Sequence, residues 1–419
     1  MKSTPGAPAR KVPVAIEHMP SPTPSLRALI AAELPSLVAL RREFHQHPEL
    51  SLQEQQTSQV VRRELERAGV AFKAGLAGGT GIVAHLPAST GEQRPAVALR
   101  ADMDALPIEE QTGVAYASCR PGVMHACGHD GHMAILLGAA RVLSRVHRPN
   151  PVTLIFQPAE EHFGGADLLC AQGVLRGESD GGIGSPVGRV FGLHGWPQLP
   201  LGQVASRPGP LMAAVDDFTI TVRGVQCHAA YPHLGRDPIL ASAHVVTALQ
   251  SIASRNVGPL EAVVVSVGQI QGGTANNIIP ETVTLVGTVR TLRDDVRAMA
   301  GERFHEVVRQ TAQALGCSAQ IDYVRGYPVV VNDADAFAQV ERAAGQALAP
   351  RQFVTLDQPT MGGEDFSYYA RHVPACFFFL GLRPAGVGEY PLLHQPTFNF
   401  NDDAIPPGVE MFVRLATRE

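Results

Sequence analysis

The sequence predicts an α/β protein: a largely parallel sheet with helices on its faces, interrupted by a smaller α+β insertion of ferredoxin-like order. Three observations carry this. Short apolar strand patterns alternate with helical ones over about 25–210, and polar residues gather where the strands end. After Pro208-Gly209-Pro210, a plausible hinge, the order becomes β-α-β-β-α-β over 211–324. From about 325 the first pattern resumes, so 25–210 and 325–419 read as one domain and 211–324 as its insertion. A chain of 419 residues is also long for a single core.

In order, residues 1–24 are rich in Pro, Ser and Ala and lack an apolar stretch, so they read as a disordered leader and not a signal peptide. A helix is expected over 25–45, ended by Pro48, and a second over 52–68, stopped by Gly69. Strands follow at 81–86 and 96–101, then a buried helix over 131–146 and a strand at 152–156. A helix near 165–176 and a strand at 189–193 complete the first part. The insertion reads as strands at 218–222, 262–270, 282–291 and 319–324, with helices over 238–254 and 293–315. A helix over 333–349, a core strand at 375–380 and a last helix from about 405 close the chain.

Composition narrows the function. The net charge of −5 comes with no basic block, which leaves nucleic-acid binding without support. No apolar run is long enough to span a bilayer. The six cysteines are scattered through a large chain, which points to reduced thiols in a cytoplasmic protein. No Gly-x-Gly-x-x-Gly or P-loop turn marks a nucleotide site.

The chemistry centres on 124–132, Met-His-Ala-Cys-Gly-His-Asp-Gly-His. Thiolate and imidazole at this density suit zinc and its divalent neighbours. A redox or core cysteine beside surface histidines is the plainer alternative. The helix that follows would place its N-terminus near Cys127 and favour the thiolate. Other strand ends add Asp102 and Asp104, Glu160 and Glu161, and His194; His394 comes from the last quarter of the chain. Adjacent acids such as Glu160 and Glu161 are costly to bury unless a cation or proton separates them. Collected, Cys127, His129, Glu161, His194 and His394 are candidate ligands of two divalent metal ions, with zinc first and manganese, cobalt or nickel as alternatives. Glu160, beside the metals but not bound to them, would take a proton from water and return it to a leaving amine. Asp104 is expected to hold His129 by its other ring nitrogen, and Asp102 to do the same for a neighbouring ligand. His132 reads as a satisfied core histidine, His162 as lining a pocket mouth, and His45 and His47 as turn residues.

Eight stretches resemble one family in order: LRADMDALPIEE (99–110), MHACGHDGH (124–132), FQPAEE (156–161), GLHGWP (192–197), HAAYPHLGRDPI (228–239), GGTANNIIPE (272–281), MGGEDF (361–366) and LHQ (393–395). Together they resemble the aminoacylase, carboxypeptidase G and hippurate hydrolase superfamily of dinuclear metallohydrolases. The likeness is greatest to the branch of hippurate hydrolases and plant indole-acetyl-amino-acid hydrolases. The resemblance implies the same five ligands, Glu160 as general acid/base, and a lid and dimerisation role for 211–324. It implies that His228 polarises the substrate carbonyl, across a homodimer or within a homotetramer, and that Asn277 and Arg290 contact the substrate carboxylate. A surface strand residue is the plainer reading of Arg290. In other branches a histidine stands where this chain has Asp102 and an aspartate bridges the metals; here Cys127 would bridge. The expected activity is amide hydrolysis of a small-molecule N-acyl amino acid. The alternatives are a dipeptidase or carboxypeptidase acting on N-blocked dipeptides, and a metal-binding or thiol protein without turnover.

Overall fold

The computed structural model describes residues 24–348 and 352–418. The leader expected at 1–24 lies outside them except for its last residue.

Helix α1 (Leu26–Gln46) begins where Ser25 Oγ accepts from Ala28 N at 3.3 Å, a side-chain cap. Helix α2 (Gln55–Arg67) ends before Gly69, whose φ of 66° favours a residue without Cβ. Strands β1 (Ala71–Leu76) and β2 (Gly81–Leu86) form an antiparallel pair, and β3 (Ala96–Asp102) is buried along its whole length. Helix α3 (His129–Leu143) starts two residues earlier than expected, so His129 lies in its first turn. Its cap is Gly128 at φ 90°, where a Cβ would press on the Phe400 ring at 3.1 Å. After β4 (Val152–Gln157), helix α4 (Gly165–Ala171) stops well short of 176, because Gly173 at φ 81° turns the chain. Strand β5 (Val187–Pro200) is longer than expected and contains His194 instead of ending before it.

Strand β6 (Val204–Ser206) is followed by β7 (Gly209–Met212), which takes the chain out of the large sheet. Next come β8 (Ala214–Arg223), β9 (Cys227–His228), α5 (Pro238–Ser251), β10 (Val263–Gly272), β11 (Ile278–Ile279), β12 (Thr282–Thr291), α6 (Asp294–Ala314) and β13 (Ser318–Arg325). Four of these strands make an antiparallel sheet of order β10-β12-β8-β13, and β9 pairs with β11 apart from it. The sheet and its two helices share their own core, including Phe218, Ile220, Val245, Leu285 and Phe304. Strand β14 (Val330–Asn332) then pairs antiparallel with β7, so the outgoing and returning crossings run side by side. Pro208-Gly209-Pro210 is thus the start of a paired ribbon.

Helix α7 (Ala334–Ala347), capped by Asp333, and strand β15 (Phe353–Thr355) precede the one-turn α8 (Ser367–Ala370), β16 (Ala375–Arg383) and α9 (Ile405–Ala416). The large sheet has the order β1-β2-β4-β3-β5-β16-β6-β15. Its centre, β4-β3-β5-β16, is parallel. Helices α1, α3 and α9 cover one face and a second core that includes residues of α4 and α8 covers the other, and burial on both faces explains why these strands are apolar runs and do not alternate. Strands β3, β4 and β5 therefore bring the residues at or beyond their carboxyl ends to one edge.

Candidate metal and catalytic site

Cys127 Sγ lies 3.2 Å from His194 Nε2 and 3.3 Å from His394 Nε2. His394 Nε2 is in turn 3.2 Å from Glu161 Oε1. His129 Nε2 faces Asp102 Oδ2 at 3.7 Å and Glu161 Oε1 at 4.0 Å. Neither His129 Nε2 nor Glu161 Oε1 makes a hydrogen bond, although both are buried. An unpaired buried polar atom costs about 1–3 kcal/mol, so these two are not free to persist without a function. The donors of Cys127, His129 and His194 lie within 4.8 Å of one another, and so do those of Cys127, Glu161 and His394. Sulfur, nitrogen and carboxylate oxygen in this arrangement fit a divalent cation, and Cys127 is common to both groups.

The ring orientations are set from behind. His129 Nδ1 donates to the main-chain oxygen of Asp104 at 2.8 Å, and His194 Nδ1 to that of Gly195 at 2.8 Å. Each bond leaves Nε2 with its lone pair toward the cluster. Asp104 thus holds His129 by its other ring nitrogen as expected, but through its main-chain oxygen; its carboxylate stands 3.4 Å from His129 Nδ1 and is engaged elsewhere. It accepts from Ser51 Oγ at 2.7 Å and from the N–H groups of Glu160 and Glu161 at 3.0 Å each. Asp102 accepts from His132 Nδ1 at 2.7 Å, while His132 Nε2 accepts from Gly195 N at 2.8 Å. That pair of bonds makes His132 a neutral prop. His394 has φ 64° and is tied down by its N–H to Ala126 O at 2.8 Å.

Sequence reasoning gave no role to Arg100, which is fully buried under the site. Its guanidinium donates to Gln157 at 2.8 Å, Asp102 at 2.7 Å, Glu364 at 3.0 Å and Asp365 at 2.9 Å. The available signal was a lone charged residue inside the apolar strand 96–101, since buried arginine demands anions. Asp365 also accepts from Gln157 Nε2 and from Ala166 N, and Glu364 from Phe366 N. Glu160 shares this corner, with its carboxyl oxygens near those of Glu364 and Asp365. Among the described residues that carboxyl accepts one hydrogen bond, a long one from Asp365 N at 3.5 Å.

Residues 98–418 match the model of peptidase family M20/M25/M40. The chain belongs to this family. It is 40% identical to an N-acetyl-L-cysteine deacetylase of Bacillus subtilis over 371 residues, 88% of this chain and 84% of that protein. It is 39% identical to an IAA-amino acid hydrolase of Arabidopsis thaliana over 388 residues, 91% of this chain and 85% of that protein. Among solved structures, a Bacillus subtilis dinuclear metal binding peptidase of family M20 superposes with a TM-score of 0.77 at 34% identity, covering 92% of this chain and 98% of that one.

The electrostatics of this M20 site are those of a cluster short of positive charge. Burial, then Glu364 and Glu161, push the Glu160 carboxyl well above the usual range. Burial, then Glu161, Glu160 and Asp102, push the Cys127 thiol up as well. The expected help from the helix N-terminus is outweighed, because its half-charge stands against three carboxylates. Burial opposes a charge on His129, but Asp102 and Asp104 outweigh it and raise the imidazole to about 10. A divalent cation reverses all three tendencies, since it replaces protons on thiol and imidazole.

A cavity of about 770 Å³ opens over the donors and is lined by Glu160, His194, Trp196, Met212, Arg290 and Tyr327 among others, with His162 at the same cavity. Trp196 stacks on Phe379 with ring centroids 4.0 Å apart. Arg290, on β12, donates to Met361 O at 3.4 Å and so links the small sheet to the site. His228 and Asn277 do not line this cavity. His228 is exposed on β9 opposite Ile278, and its Nδ1 accepts from Ala230 N at 3.1 Å. Asn277 O accepts from Ala229 N at 2.9 Å, which makes the two residues neighbours. His45 is more than a turn residue: it is buried between Asp130 at 2.8 Å and Glu110 at 3.1 Å.

Proposed function

We propose that the protein is a metal-dependent amidohydrolase that cleaves the amide bond of N-acyl amino acids. What carries the reading is the buried carboxyl of Glu160, almost free of hydrogen bonds, beside the two donor groups that share Cys127. A protein that only stores metal has no use for such an acid. The donor groups fit two divalent ions, which Cys127, His129, Glu161, His194 and His394 would hold, Cys127 being common to both groups. Sulfur favours zinc; manganese, cobalt and nickel are the metals to compare. Bound ions would supply the charge that brings a water near neutrality toward ionisation, with a pKa of about 7.

The protein's own groups account for the rest. Glu160 takes the proton of the attacking water and delivers it to the departing amine, so one carboxyl serves as base and then acid. Arg290 faces the cavity and offers a forked donor to the substrate carboxylate. His228 and Asn277 are read as completing a partner subunit's site, since they sit together and outside this chain's cavity. Tyr231 and Ile278 lie beside His228, and these two with Leu234, Ile239, Leu240 and Ile270 are exposed on the insertion, apolar side chains suited to meeting a second copy. On this reading 211–324 is the lid and dimerisation domain, set on 25–210 and 325–419. All six cysteines are unpaired, which supports a reducing, cytoplasmic setting; among the described residues no helix is long and apolar enough to cross a membrane.

Purified protein assayed against acetyl-, benzoyl- and indole-acetyl-amino acids, and against N-blocked dipeptides, tests the assignment. Preferred release of a free amino acid from the acyl series supports it. Preferred cleavage of the dipeptides would move the chain to the dipeptidases, and no turnover with any metal would sink the reading.

A further inference from the structure

Glu54 has no part in the chemistry above, yet it is 0% exposed and lies just behind the catalytic loop. Its Oε1 accepts from Ala159 N at 3.0 Å and from Leu52 N at 3.0 Å, and its Oε2 accepts from Thr80 Oγ1 at 2.8 Å. It precedes α2 but makes no side-chain cap to that helix, so starting the helix is not its task. Ala159 comes immediately before Glu160 and has φ 57°, in the left-handed region that a residue with Cβ resists. The next two N–H groups, of Glu160 and Glu161, donate to Asp104. Three successive amides thus point into two buried carboxylates, the concavity that backbone N–H groups form for anions. The far side of the loop is equally tight: Gly165 N donates to Ala159 O at 3.0 Å, and a Cβ at 165 would stand 1.7 Å from Pro158 O.

We propose that Glu54 is a positioning residue that holds Ala159 in its left-handed conformation and thereby aims the Glu160 carboxyl at the substrate. Asp104 grips the two residues that follow, and among the described residues Glu54 is the side chain that bonds Ala159 itself, as it also bonds Leu52, another residue at positive φ. Without it, Ala159 relaxes toward negative φ and swings the Glu160 side chain away. A glycine at 159 adopts positive φ without that cost, so it makes the grip unnecessary.

The inference rests on Glu160 as general acid/base, and the test separates the two. Metal-loaded wild type, Glu54→Ala, Ala159→Gly, the double variant and Glu160→Gln are compared for kcat, KM and bound metal. Glu54→Ala is expected to lose ~10- to 100-fold in kcat, the scale of an ångström-sized misplacement, with metal content kept and KM changed less than kcat. The double variant is expected to regain most of the loss relative to Ala159→Gly alone. A general packing role for Glu54 predicts no such rescue. Should Glu54→Ala fail to fold, Glu54→Gln, which keeps the volume and one acceptor, takes its place with the same rescue expected. Wild-type kcat in Glu54→Ala, or a folded double variant no better than the single one, would overturn the proposal. Full activity in Glu160→Gln would instead overturn the reading of the base and with it the aim assigned to Glu54, while the presence or absence of rescue by Ala159→Gly would still decide whether Glu54 holds that backbone.

Discussion

Glu160 and Glu161 are neighbours with opposite duties on this account, and single substitutions separate them. Glu160→Gln keeps the shape but cannot accept a proton, so kcat is expected to fall ~10²–10⁴-fold, the usual share of a general acid/base. Bound metal, counted by elemental analysis, should stay near wild type; loss of metal instead would exchange the two roles. Cys127 is the converse case. Its sulfur belongs to both donor groups, and a serine hydroxyl does not ionise there as a thiol does. Cys127→Ser is therefore expected to retain fewer than half the metal ions of wild type. Residues that bond directly to a metal were legible in the sequence because Cys, His and Glu at strand ends are chemically conspicuous. The prop at Gly195 O was not, and Asp104 was legible as the prop of His129 but not its main-chain oxygen as the atom, since any residue supplies a carbonyl and only the fold decides which one arrives.

At the scale of elements, α1 is joined to α3 through a buried polar contact that the sequence did not disclose. His45 lies between Asp130 and Glu110, and Arg41 donates to Asp130 at 3.3 Å and Asp402 at 2.8 Å. Burial opposes the charge on His45, but its bonds to Asp130 and Glu110 outweigh it and raise the imidazole to about 9. Its affinity for a proton is thus higher folded than unfolded. The resulting stabilisation, about 3 kcal/mol, is fully present below the unfolded value near 6.5 and is lost as pH rises through 9. Unfolding midpoints should fall between pH 7 and pH 10 in wild type and fall less in His45→Gln; parallel declines would show that His45 is neutral in the fold. The helices and strands themselves were mostly legible, because 3.6- and 2-residue periods are strong signals over long segments. Misjudged ends had local causes: Gly173 cut α4 short, and β5 ran on through His194 since a polar residue facing a metal site does not end a strand.

At the scale of the molecule, the small sheet stands apart on a ribbon of β7 and β14, and only some of its residues reach the cavity. Arg290 does; His228 and Asn277 do not. The resemblance paired Asn277 with Arg290 at the substrate carboxylate and set His228 across a dimer; the route of the chain, decided by pairing far apart in sequence, puts Asn277 beside His228 instead. If His228 serves a partner's site, His228→Ala and Glu160→Gln are each nearly inactive, while mixed dimers carry one site with both residues intact. Subunit exchange should then restore part of the activity, up to about one intact site per heterodimer. No recovery after proven exchange would place His228 in its own chain's site or outside catalysis.

The central claim is that the unpartnered donors around Cys127 exist to hold metal and that the metal makes the amide-cleaving site. Amidase activity on an N-acyl amino acid, followed through chelation and stepwise return of zinc, manganese or cobalt, addresses it directly. The account predicts that activity disappears with the metal and returns as up to two ions bind per chain. Full activity in a rigorously metal-free sample would contradict it.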